Sequence, residues 1–148
     1  LTSRLGAAIR QDGGLAYYAN SNVVLYEEAA LIQGQFATRS DQVPQAIARL
    51  HETLRELKAE GFTEEEFTRA KDYITGTFAQ NLDTNRGLVG YLQLMQREDL
   101  GKDYLEKRNA FFEKVTLEDV NRLAGSLLDS TKMLTVAVGE SNPFDVTP

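Results

Sequence analysis

A helix, a glycine pair and a strand follow one another near the start of the chain, and this order constrains the fold most. Residues 1–12 carry apolar side chains at helical spacing, which predicts an amphipathic helix. Gly13 and Gly14 end it, because glycine adopts the left-handed conformation that a helix C-terminus favours. Residues 15–28 are rich in aromatic and β-branched side chains, which predicts one long strand, or two with a bend at 20–22.

Arg10 and Tyr17 flank this glycine turn. A tight reversal from helix to strand can bring the Arg10 guanidinium and the Tyr17 hydroxyl to one place, although they lie seven positions apart. Each residue also has a purely structural interpretation. An arginine in the last turn of a helix favours the helix dipole, and a tyrosine in a strand is commonly half-buried packing with a wet hydroxyl. The pair is therefore a candidate site that depends on the rest of the chain.

The remaining pattern predicts an α+β fold. Residues 30–39 alternate in polarity a short turn after the first strand, which predicts an antiparallel hairpin, and Gly34 indicates a bulge or a close backbone approach. Amphipathic helices follow, two of them opened by capping boxes at Thr63 and Thr116. Residues 133–139 predict a closing strand. This order is typical of a mainly antiparallel sheet with helices packed on one face.

The length predicts a single domain over residues 1–148, with a loosely ordered polar tail at 140–148. Three predicted strands are few for five or six helices, and a small sheet leaves edges that proteins usually cover or pair. We therefore expect the domain to be incomplete at its N-terminus, with further strands of the sheet preceding the first helix.

Charge and composition exclude several functions. The chain has 16 Lys and Arg against 22 Asp and Glu, a net charge of −6, which disfavours nucleic acid and a polybasic membrane surface. No apolar run approaches the roughly 20 residues that span a bilayer, so we expect a soluble protein without membrane insertion. The chain has no cysteine, which excludes thiol nucleophiles and thiolate zinc sites. The localisation stays open between bacterial periplasm and cytoplasm.

The single histidine, His51, does not belong to a zinc motif. Glu52 follows it as in a His-Glu-x-x-His helix, but Arg55 stands where the second histidine is needed, and the inverted motif fails as well. A catalytic zinc usually takes three protein ligands. The sequence therefore predicts no catalytic zinc in this chain, with His51 on the surface of an amphipathic helix.

Four segments, in order, resemble the pitrilysin/insulinase metallopeptidases, a family that includes the mitochondrial processing peptidases and many bacterial zinc protease homologues. Each segment alone is a modest signal, whereas four in the correct order are specific. The matching segments are SRL, IR and GLAY within residues 3–17, GFTEEEFTRAK at 61–71, TLEDVNRLA at 116–124 and VAVG at 136–139.

The resemblance implies a division of labour between two kinds of homologous domain around a closed chamber. The N-terminal type carries zinc in an inverted His-x-x-Glu-His motif, and the C-terminal type contributes an arginine and a tyrosine, seven apart, to the active site. Arg10 and Tyr17 match that pair in type and spacing. The resemblance thus implies the non-zinc half of a zinc-dependent metalloendopeptidase, with Tyr17 catalytic and Arg10 substrate-binding. Asp12 departs from the more basic run of many relatives, which leaves the substrate preference open.

The implied partners are a peptide substrate and a zinc-carrying homologous domain or subunit, so this chain alone is expected to be inactive. A homo-oligomer is left open. Because some relatives have lost peptidase activity, the alternative is a non-catalytic structural or peptide-binding subunit of the same family. The presence of both Arg10 and Tyr17 favours the enzyme.

Overall fold

A computed structural model describes residues 3–11 and 14–139; the tail predicted at 140–148 lies outside the described residues. Two compact units share this part of the chain. One comprises Phe62–Leu123, and the other comprises residues 3–61 together with 124–139. The prediction of one domain that is incomplete at its N-terminus stays a prediction.

The unit that carries the candidate residues begins with a helix of changing pitch. Helix α1, Arg4–Gly6, is capped by Ser3, whose Oγ accepts a hydrogen bond from Gly6 N at 3.0 Å. It continues directly as a π-helix, Ala7–Gln11, which we call the π turn. The helix predicted in this region is confirmed, but its widened last turn is not visible in the apolar spacing.

The predicted hairpin is confirmed. Strands β1, Tyr18–Leu25, and β2, Ala30–Ala37, pair antiparallel in an unbroken register from Tyr18 opposite Ala37 to Leu25 opposite Ala30. Strand β1 therefore runs through residues 20–22 without interruption. The bulge considered at Gly34 is absent, since Gly34 lies opposite Ser21 in the regular ladder.

Helix α2, Val43–Glu60, completes the helical part of this unit before Gly61. It follows a 3-10 turn, Ser40–Gln42, and has a proline in its first turn, where the missing N–H costs nothing. Gly61 ends the helix with φ of 73°, a positive value that glycine adopts more readily than other residues.

The other unit is helical. Two of its helices begin with the predicted capping boxes, in which Thr63 and Glu66 exchange hydrogen bonds at α3, and Thr116 and Asp119 do so at α7. Helix α7 begins in this unit, and its residues from Ala124 onward belong to the unit that carries Arg10 and Tyr17. The helices are α3 Glu64–Gly76, α4 Phe78–Leu82, α5 Asn85–Arg97, α6 Tyr104–Glu113 and α7 Leu117–Leu127.

A small apolar core joins the π turn, α2 and the base of the hairpin. Its centre is formed by Ile9, Leu15 and Ala46, and the partly buried residues around it include the cross-strand pair of Ala19 and Phe36. Helices thus pack against the base of an antiparallel sheet, which confirms the predicted α+β class.

The closing strand predicted at residues 133–139 is wrong for the described structure. Met133 has extended backbone, with φ of −84° and ψ of 132°, yet the strands found in the described residues pair only with each other. Leu134 is 87% exposed and Val138 is 99% exposed. A strand requires a neighbour that accepts its hydrogen bonds, and alternating apolar residues alone cannot supply one.

Candidate functional site

The predicted site residues lie near the two ends of a loop that a backbone hydrogen bond closes. Arg10 belongs to the π turn and is exposed, directly after Ile9. Tyr17 follows two residues after Leu15. The backbone N–H of Leu15 donates a hydrogen bond to the carbonyl of Ile9 at 2.9 Å. This bond brings the neighbours of Arg10 and Tyr17 together across the glycine turn.

Gly14 makes the reversal possible. Its φ is +56°, in the left-handed region that glycine occupies readily. A methyl group added there would meet no atom within 4 Å, so the requirement is conformational rather than steric. The left-handed conformation predicted for the glycine pair is found at Gly14, and Gly13 lies outside the described residues.

Tyr17 is fixed by its backbone and free at its side chain. Its N–H donates to the carbonyl of Ala37 at 3.0 Å, which extends the hairpin ladder by one residue. The residue itself is 78% exposed. The interpretation of Tyr17 as half-buried packing therefore does not describe this residue.

The apolar residues next to the site turn inward. Ile9 is 0% exposed, Leu15 is 4% exposed and Ala46 of α2 is 0% exposed. Burial of these side chains stabilises the loop at about 25 cal/mol for each Å² of apolar surface removed from water. Sequence reasoning selected Arg10 and Tyr17 but missed this support, because Ile9 and Ala46 read only as members of two separate amphipathic helices.

The fold matches that of a solved peptidase domain. A crystal structure of the peptidase M16 inactive domain from Pseudomonas fluorescens aligns with a TM-score of 0.73 and 23% identity, over 86% of this chain and 30% of that chain. The class of protein is therefore an α+β domain with the fold of an inactive peptidase domain.

The family follows from the sequence match. The model of the peptidase M16 inactive domain matches residues 1–74, which is half of the 148 residues, and the chain belongs to this family. A curated relative, the uncharacterized zinc protease YmxG of Bacillus subtilis (strain 168), is 29% identical over 150 residues, covering 96% of this chain and 35% of the relative. The chain thus spans about a third of that relative's length. The resemblance to the C-terminal, non-zinc type of domain is confirmed.

The described residues do not fit the zinc of this protease family. Within residues 3–11 and 14–139, no group of three or more His, Cys, Asp or Glu side chains could hold a metal ion. His51 lies half-buried on α2. The same part of the chain contains no helix that is both long and apolar enough to cross a membrane.

Proposed function

We propose that this domain is the non-zinc half of a zinc-dependent metalloendopeptidase, in which Arg10 binds the peptide substrate and Tyr17 stabilises the transition state. The zinc belongs to a partner domain or subunit. The observation that carries this proposal is the loop described above: its two polar side chains are exposed, whereas the apolar residues Ile9 and Leu15 beside them are buried.

Tyr17 suits the role of a hydrogen-bond donor. Peptide hydrolysis builds negative charge on the oxygen of the carbonyl that is attacked, and a donor aimed at that oxygen stabilises the transition state more than the substrate. The phenol O–H of Tyr17 is such a donor, and its backbone is fixed by the bond to Ala37. A fixed backbone reduces the conformational freedom that the side chain loses when it binds.

Arg10 suits the role of a substrate clamp. Its guanidinium is planar, remains charged, and presents five N–H donors in a rigid fork, so it can hold several peptide carbonyls at once. Zinc, when bound by the partner domain, supplies Lewis-acid and water-activating chemistry. This chain supplies hydrogen bonds and orientation.

The direct test is Tyr17→Phe in the complete protease, with the zinc-bearing domain present. Removal of one oxyanion-type donor lowers kcat on the order of 10²–10³-fold, with zinc content unchanged. Tyr18→Phe is the matched control, because Tyr18 is the neighbouring residue, is 46% exposed, and loses the same hydroxyl. An unchanged kcat in Tyr17→Phe would overturn the role of Tyr17.

A reconstitution assay tests the division between two domains. This chain alone, the zinc-bearing domain alone, and their mixture are assayed on a peptide library with and without a chelator. Activity only in the mixture, abolished by the chelator, supports the proposal. Activity of this chain alone contradicts the assignment of zinc to the partner. No activity in a mixture that demonstrably assembles favours the non-catalytic structural or peptide-binding subunit.

A further inference from the structure

Ile9 lies behind the proposed site rather than in it. Its side chain is fully buried between Leu15 and Ala46, and the next residue in the chain is the exposed Arg10. One peptide bond therefore separates a fixed apolar anchor from the proposed substrate clamp. Isoleucine is stiff at χ1, so its burial fixes the backbone that carries it more firmly than an unbranched side chain would.

The carbonyl of Ile9 forms the second connection. It accepts the hydrogen bond from Leu15 N at 2.9 Å, across six positions of sequence. The common closure of an α-helix by a left-handed glycine joins residues five positions apart. Ile9 itself belongs to the π turn, and single π turns within helices occur frequently at functional sites.

A continuous series of backbone links then reaches Tyr17. The carbonyl of Ile9 accepts the hydrogen bond from Leu15 N, and Tyr17 follows two residues later. Tyr17 N in turn donates a hydrogen bond to the carbonyl of Ala37 in β2. The relative placement of Arg10 and Tyr17 therefore depends on the Ile9–Leu15 contact.

We propose that Ile9 is a positioning residue, which sets Arg10 and Tyr17 relative to each other through its packing against Leu15 and Ala46 and through its carbonyl. The inference rests on the proposed function of Arg10 and Tyr17. It predicts that a small change of shape at Ile9 lowers activity more than an equal change at a buried site elsewhere in the same unit.

Two substitutions test this in the complete protease. Ile9→Val removes one methylene and keeps the β-branch, and Ile9→Leu keeps the volume and moves the branch. A misplacement of one ångström costs about 10²-fold, so we expect kcat/KM to fall on the order of 10-fold in each variant. Leu57→Val is the matched control: Leu57 is 6% exposed on α2 and lies outside the Ile9 cluster. Thermal unfolding of all three variants corrects for the folded fraction.

A double-mutant cycle separates positioning from plain stability. If Ile9 acts through Tyr17 and Arg10, then Ile9→Val causes no further loss of kcat/KM in the Tyr17→Phe, Arg10→Ala background. Equal losses in both backgrounds, or a loss matched by Leu57→Val, would overturn the inference. If Tyr17→Phe lowers kcat while Ile9→Val and Ile9→Leu leave kcat/KM unchanged, the inference fails and the proposed function survives. If Tyr17→Phe and Arg10→Ala both leave the kinetics unchanged, the proposed function fails and this inference fails with it.

Discussion

The side-chain amide of Asn121 pairs with the backbone of Phe62 through both of its polar atoms. Phe62 N donates to Asn121 Oδ1 at 2.7 Å, and Asn121 Nδ2 donates to the carbonyl of Phe62 at 3.2 Å. The residues are 59 positions apart, in two segments that each carry part of the family resemblance. Phe62 directly precedes the N-cap Thr63, so this pair fixes the start of α3 against α7.

Asn121→Ala should destabilise the protein because it removes two hydrogen bonds to the Phe62 backbone at once. One such bond contributes about 0.5–1.5 kcal/mol, so we expect the free energy of unfolding to fall by about 1–3 kcal/mol. Asn121→Asp keeps the acceptor but loses the donor to the carbonyl, and should also destabilise. Urea unfolding measures both. Gln93→Ala on α5, at an exposed position, is the control, and an equal loss there would contradict the assigned pairing.

Two glycines of α5 should respond to alanine with opposite signs. A methyl group at Gly87 would overlap the backbone carbonyl oxygen of Asn81, whereas one at Gly90 meets nothing within 4 Å. We expect Gly87→Ala to destabilise by about 1–3 kcal/mol through overpacking. Gly90→Ala should stabilise by about 0.5–1 kcal/mol, because alanine loses less backbone entropy in a helix. Thermal unfolding of the two variants in parallel tests this, and equal shifts in Tm would contradict it.

Arg108 closes the C-terminal end of α3. Its guanidinium carbon lies 4.3 Å from the ring centre of Phe78 and 4.5 Å from that of Phe112, and Nη1 donates to the carbonyl of Ile74 at 3.2 Å. The residue is only 8% exposed. The last carbonyls of a helix have no intrahelical partner, so this contact satisfies one of them.

Arg108→Lys should therefore be a disruptive exchange. Lysine has neither the planar guanidinium that contacts the two rings nor the same fork of donors, so we expect a loss of about 1–3 kcal/mol in the free energy of unfolding. Arg69→Lys is the matched control, because Arg69 forms an exposed ion pair with Glu65, a kind of pair that contributes about 0–1 kcal/mol. Denaturant unfolding of both variants measures the two losses, and similar values would show that the contacts of Arg108 with the two rings add nothing.

Asp129 should make the protein sensitive to acid. The pKa of this carboxyl lies below its ordinary value of 3.8. The largest cause is the hydrogen bond from the Thr131 side chain, and the second largest is the hydrogen bond from Lys58. Because the folded pKa is depressed, the carboxylate contributes stability above the unfolded pKa, and that contribution is lost as the pH falls through the folded value. Asp129→Asn should remove this part of the pH dependence.

Unfolding free energies measured between about pH 5 and pH 2 test this expectation. Thr131→Val should flatten the acid limb more than Lys58→Met, because Thr131 is the larger cause of the pKa shift. An acid limb unchanged by Asp129→Asn would contradict the assignment, and so would the reverse order of the other two variants.

Local features could be predicted from the sequence because their partners lie close by in the chain. Thr63 and Glu66 form a capping box three positions apart. The hairpin is encoded by aromatic and β-branched residues in its first strand and by alternating polarity in its second, a short turn later. The strand expected at residues 133–139 failed for the opposite reason, since a strand needs a distant partner that no local pattern specifies. The role of Asn121 in placing α3 is likewise a contact across 59 positions.

The candidate site was predictable in part. Arg10 and Tyr17 were selected from their spacing around a glycine turn and from the family resemblance, and their functional roles stay predictions. The π turn was not predictable, because Leu5, Ala8 and Ile9 fit the apolar face of an ordinary helix equally well. The burial of Ile9 against Ala46 joins two segments 37 positions apart, and only the fold brings them together.

The exposed apolar segment at residues 133–139 should make the isolated domain prone to aggregation. Its sequence, MLTVAVG, combines high β-propensity with no charge and no proline, which is the composition of segments that stack into amyloid-type zippers. With Leu134, Val136 and Val138 exposed, concentrated samples should precipitate through this heptapeptide. The substitution Val136→Lys would interrupt this segment with a charge and keep the isolated domain in solution.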